Sequence, residues 1–102
     1  MMTSVDAELM RALSDPLRLQ IVTLLARETP CTTHLVEETG AGQANLSNRL
    51  RVLREAGVVE TEPCGRLTYY RLRPDVIAQL AGQFADLAAS ARTAIESKRA
   101  CP

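Results

Sequence analysis

In the stretch Pro30-Cys31-Thr32-Thr33-His34-Leu35, the first cysteine of the chain stands three residues ahead of its only histidine. That spacing is about one helical turn, so a thiol and an imidazole can share one face of a helix. Two chemistries suit a sulfur and a nitrogen so placed. One is ligation of a soft cation or metalloid, the other a nucleophilic thiol served by a base. Plain packing is a third reading, because a free cysteine behaves as a small apolar residue and is commonly buried. The remaining cysteines are Cys64, within Pro63-Cys64-Gly65-Arg66, and Cys101, next to the last residue. Three thiols are an odd number and do not make a closed disulfide framework. Catalysis would further need a base and an orienting group around the nucleophile. The sequence offers no Gly-rich loop and no paired carboxylates in a pocket-forming arrangement, so the expectation is that this is not an enzyme.

The 102 residues suit one domain, near the lower end of sizes that bury an adequate core without staples. A hydrophobic fraction of 46% and a charged fraction of 24% are ordinary for a soluble chain, and 3% aromatics imply an aliphatic, largely helical core. No apolar run reaches the roughly 18–20 residues of a membrane span, and no leader-like apolar segment opens the chain. A cytoplasmic protein with reduced thiols is the expectation, with no membrane partner. The formal net charge of zero hides a gradient. Residues 1–42 carry three arginines against six acidic residues. Residues 43–73 carry Arg49, Arg51, Arg54, Arg66, Arg71 and Arg73 against Glu55, Glu60 and Glu62. A basic middle third is the local footprint of phosphate binding, or else a solvated face.

The elements that must position these groups follow from periodicity. In "SVDAELMRAL", Val5, Leu9, Met10 and Leu13 predict a short amphipathic helix. "SDPLRLQIVTLLARE" starts another, with Ser14 or Asp15 as cap, Pro16 in the first position, and Leu19, Ile21, Val22 and Leu25 as its buried stripe. Cys31 then falls in a short extended piece, and Thr32 or Thr33 can cap a helix that "TGAG" ends. In "GAGQANLSNRLRVLREAGVV", Leu46, Leu50 and Leu53 recur at i, i+4 and i+7 and face one core. The other faces hold Gln43, Asn45, Ser47 and Asn48, with arginine further on. "VVETEPCGRLTYYRL" reads as two strands about a turn at Pro63-Cys64-Gly65-Arg66. One long helix follows. Its Ile77, Leu80, Phe84, Leu87, Ala91 and Ala94 step by alternating threes and fours, a heptad seam for the domain core and a second subunit.

Two helices joined at a Gly turn, the second with small polar residues at its start, then a hairpin: this predicts a mainly α, winged helix-turn-helix domain over residues 1–102. The helix-turn-helix spans about 33–56, the wing about 58–72 and a dimerisation helix about 74–98. The major groove admits one helix, whose early residues must carry amides, hydroxyls or guanidinium groups to read base edges. Arginines on that helix and the wing suit the flanking phosphates.

"ALSDPLRLQIVTLLARE", "LSNRLRVLREAGVVE" and "GRLTYYRLRP" together resemble the ArsR-type metalloregulatory repressors over residues 8–74. The resemblance implies a homodimer that binds double-stranded operator DNA and lets go when an inducer binds. It carries DNA contacts over to Gln43, Asn45, Ser47, Asn48 and Arg51, with Arg66 and Tyr69 on the wing. Where the family often has Ser-x-His-Leu, this chain has Ser47-Asn48-Arg49-Leu50, so Arg49 replaces the histidine.

The resemblance also frames the inducer. Zinc-type sensors of the family use histidines and carboxylates on the last helix. Here that helix offers only Asp75, Asp86 and Glu96, which argues against zinc, nickel and cobalt. Arsenite sensors carry Cys-x-Cys before the recognition helix. Cys31 keeps the first position, while Thr33 replaces the second cysteine and His34 the acidic residue after it. Trivalent arsenic and antimony take three thiolates, and Cys31, Cys64 and Cys101 supply three. With Cys31 at the wing base and Cys64 at its tip, about four residues or 13 Å apart at strand rise, the site could mix subunits. A thiol-redox repressor using the same cysteines, or a cadmium or lead sensor, is the alternative.

Overall fold

A computed structural model describes residues 5–101. The chain runs α1 (Ala7–Leu13), α2 (Pro16–Leu25), α3 (Thr32–Thr39), α4 (Gln43–Glu55), β1 (Val59–Cys64), β2 (Leu67–Leu72) and α5 (Pro74–Ala94). The two strands form one antiparallel hairpin, and with the helices they make a winged helix-turn-helix.

Local chemistry sets most boundaries. Asp6 caps α1 by accepting the Leu9 N–H, and Asp15 caps α2 by accepting the Arg18 N–H, with Pro16 in the first turn. The Arg18 guanidinium reaches back to the carbonyl of Ala12 at 2.6 Å, so one residue helps to end α1 and to begin α2. Gly40 ends α3 at φ +70°, the left-handed conformation that a side chain resists, and thereby makes the bend into α4.

Several expectations needed correction. The cap of α3 is Cys31, not Thr32 or Thr33. On α1, Met10 lies at the surface and Ala12 takes the inward position; on α2, Leu19 is 51% exposed and Leu24 is buried in its place. Both helices are short, so the angle at which each meets the core decides which residue at the edge of its apolar stripe is covered. The turn of the wing is tighter than predicted: Pro63 and Cys64 pair with Thr68 and Leu67, leaving only Gly65 and Arg66 as the loop. Positive φ at Gly65 (+63°) and not at Arg66 is the pattern of a type II′ turn, whose twist suits a two-residue hairpin.

Ile21, Leu35, Leu46, Leu53 and Val58 are fully buried where α2, α3 and α4 meet, and Leu80 of α5 closes the edge of this core. The apolar seam of α5 splits. Val76, Ile77 and Leu80 pack on the core, whereas Phe84 and Leu87 remain 44% and 46% exposed. The helix ends at Ala94, short of the expected residue 98. Its outer part accounts for the elongation: the radius of gyration is 17.8 Å, against about 13 Å for a compact chain of this size. Among the described residues, no helix is long and apolar enough to cross a membrane.

Candidate nucleic-acid interface and thiols

Leu46, Leu50 and Leu53 are all buried, which fixes the rotation of α4 about its axis. With that face inward, Gln43, Asn45, Ser47, Asn48 and Arg51 are all exposed. Gly42 precedes the helix and provides no capping side chain, so the first N–H groups of α4 have no side-chain acceptor from the cap position. Arg51 donates through Nη2 to Asn48 Oδ1 at 3.2 Å, which holds the two side chains together on one face.

The arginines of the basic segment divide into two sets. Arg71 lies 3.4 Å from Glu60 and 4.0 Å from Glu62, and Arg73 lies 3.4 Å from Glu60 and 3.0 Å from Asp75. Arg49 donates through Nε to Asp15 Oδ2 at 3.0 Å. Among the described residues, Arg51, Arg54 and Arg66 have no carboxylate partner, and all three are exposed. The positive excess is therefore carried by one face of α4 and the tip of the wing. Arg66 lies in the wing loop, while Tyr69 is half-buried further down the hairpin, opposite Glu62 on β1.

The Asp15–Arg49 contact is the feature of this surface that sequence reasoning missed. Asp15 was legible as a cap and Arg49 as an unusual residue in its motif, but nothing local joins positions 34 apart. The Asp15 carboxyl is held below its ordinary value, first by the Arg18 N–H, with partial burial opposing and the Arg49 guanidinium adding to the fall.

Cys31 is buried, 4% exposed, and lies beside the wing. It bridges to Tyr69, and the Pro30 carbonyl accepts the Tyr70 N–H at 2.9 Å, so residues 30–31 add a short rung to the free edge of β2. At the start of α3, His34 Nδ1 lies 3.5 Å from the Cys31 backbone nitrogen and 3.4 Å from its Sγ. With Nδ1 unprotonated, both Cys31 groups donate to it. Cys64, the last residue of β1, and Cys101, beyond α5, are both exposed. Cys64 stands two strands across and two residues along from Cys31, a separation of about 12 Å from strand spacing and rise. The three thiols of one protomer thus do not fit a shared three-thiolate pyramid. Among the described residues, no three His, Cys, Asp or Glu side chains come together as a ligand set.

Residues 15–61 match the family model described as bacterial regulatory protein, arsR family. A solved structure of a possible transcriptional regulator for arsenical resistance is 31% identical and superposes with a TM-score of 0.71, covering 93% of this chain and 100% of that one. This chain belongs to the arsR family. Among its curated relatives, the biofilm growth-associated repressor of Xylella fastidiosa is 40% identical over 74 residues, 72% of this chain. The match spans 65% of that relative's length, so the two proteins are compared over part of the relative only. The solution structure of the homodimeric winged helix-turn-helix domain Mb0332 from Mycobacterium bovis is 29% identical, with a TM-score of 0.66 over 94% of this chain and 86% of that one.

Proposed function

We propose that this protein is a homodimeric transcriptional repressor that lays α4 in the major groove of operator DNA and rests the wing on the adjacent backbone. The observation that carries the reading is the outward face of α4. Five exposed polar residues, Gln43, Asn45, Ser47, Asn48 and Arg51, stand on a helix locked in rotation by three buried leucines. Amides match adenine edges, and guanidinium groups match guanine or phosphate. Arg66 at the wing tip suits a flanking phosphate, and Tyr69 is the second proposed wing contact. The repressor name of the Xylella relative and the homodimer of the Mycobacterium structure support the same reading.

The proposed inducer is trivalent arsenic or antimony held through thiolates, with Cys31 as the anchoring ligand and Cys64 and Cys101 as the other donors. Because one protomer keeps Cys31 and Cys64 apart, such a site draws a thiol from the second protomer. The likeness to the regulator for arsenical resistance supports this choice. A second reading, release by thiol oxidation, is favoured by the contact between Cys31 and His34, which gives the thiol a proton acceptor in place.

One titration separates the readings. The reduced protein is bound to a labelled duplex selected from a random pool, and anisotropy is followed as arsenite, cadmium, zinc or diamide is added. Release by arsenite near one equivalent per site, with zinc inert, is the expected result. Release by diamide alone would replace the metalloid with an oxidant. Failure to select any preferred duplex would remove the repressor reading itself.

A further inference from the structure

We propose that Asp15 withholds Arg49 from the DNA backbone, so that this arginine, though it lies beside the base-reading residues, adds little to sequence-independent binding. The inference rests on α4 being the helix that enters the groove. Arg49 follows Asn45 by four residues and so occupies the same stripe of α4, about 6 Å further along the axis. Long side chains on a helix lean back toward its N-terminus, which brings the guanidinium toward the level of Asn45. The side chain is 32% exposed, so it belongs to the surface and not to the core.

What occupies it is the cap of another helix. Asp15 Oδ2 accepts the Arg18 N–H and the Arg49 Nε–H, each at 3.0 Å. The carboxylate is fixed at the start of α2 by its capping role, so the arginine comes to it. A guanidinium neutralised by a carboxylate presents no net charge to a phosphate, and the carboxylate itself repels one. On this flank α4 is therefore close to neutral, while the exposed Arg51 and Arg54 face outward elsewhere on the helix. Phosphate contacts raise affinity for every sequence alike, whereas amide contacts to base edges distinguish sequences. Removing one arginine from the first set lowers affinity for every sequence and leaves the amide contacts as a larger share of what remains. Asp15 in this sense sets the strength of sequence-independent binding through the arginine it holds.

The experiment uses the full chain and a short labelled duplex of mixed sequence, with affinity measured between about 50 and 200 mM salt. Asp15→Asn keeps a side chain that caps as well as aspartate but removes the charge. Its log–log salt slope should steepen by about 0.9 for each protomer on the duplex, and its affinity should rise roughly eightfold per protomer at 0.1 M salt. Arg49→Gln alone, which leaves the Asp15 carboxylate unpaired, should give a slope no steeper than that of the parent protein. The Asp15→Asn, Arg49→Gln double variant should return to the parent slope, which assigns the gain to the released arginine and not to loss of the carboxylate. An unchanged slope in Asp15→Asn would overturn the proposal. So would a gain that survives in the double variant. Arg51→Gln is the control for the underlying reading. A shallower slope there with no effect of Asp15→Asn removes only this inference, whereas no change in Arg51→Gln removes α4 as the groove helix. Thermal melts by circular dichroism confirm that each variant is folded.

Discussion

Two residues show how position changes what a side chain can do. Cys31 is a helix cap, a strand-edge rung and a buried thiol at once, and it has an imidazole nitrogen 3.4 Å from its sulfur. Cys31→Ser keeps a small side chain that caps well, so it should bind DNA as the parent does and resist release by arsenite. Anisotropy with the selected duplex reads both properties, and full release of this variant at the same arsenite ratio would discard Cys31 as a ligand. Asp15 carries the second prediction. Its carboxyl sits below the ordinary value of 3.8 in the folded protein because the Arg18 N–H, and then Arg49, favour the charged form. A depressed folded value means that the stabilisation is complete above 3.8 and is lost as pH falls through the folded value. Melting temperature followed from pH 5 downward should therefore drop less steeply in Asp15→Asn than in the parent. Equal slopes would show that the carboxylate contributes nothing to acid unfolding.

At the scale of elements, α4 works because one side is pinned while the other is free. Leu46 has no exposed surface, and its truncation to alanine removes apolar contacts shared with α2 and α3. Leu46→Ala should cost about 2–5 kcal/mol of stability, read as a lower urea midpoint with an unchanged slope. A loss below about 1 kcal/mol would mean that the helix is not held by this contact. The wing obeys different rules. Its paired arginines and glutamates are solvent-exposed, and such pairs contribute little to stability individually. Their effect is to leave Arg66 at the loop as the cation of the hairpin that has no carboxylate partner among the described residues.

At the scale of the whole molecule, α5 extends past the core with Phe84 and Leu87 uncovered on the seam that buries Leu80. An apolar stripe continuous with a core and left open is what a second copy of the helix would cover. Phe84→Glu with Leu87→Glu should shift the protein to monomers in sedimentation and weaken DNA binding, because two half-sites need two linked protomers. The far-UV spectrum should be unchanged, since neither side chain is part of the described core. A double variant that remains dimeric would place the interface elsewhere.

Periodic and punctuated features were legible along the chain: the three leucines of α4, Pro16 after its cap, Gly40 between two helices, and two strands about a Gly-containing turn. These depend on neighbours within a turn or a strand, and backbone geometry repeats there whatever the rest of the chain does. The exposed reading face of α4 was legible for the same reason, as the complement of its leucine stripe. Only the tertiary structure decided which edge residues are covered, as with Leu19 and Leu24 on α2. It alone joined Asp15 to Arg49 and Cys31 to Tyr69. Those outcomes depend on how helices and strands approach one another, a property of the packed core that no short window of sequence contains.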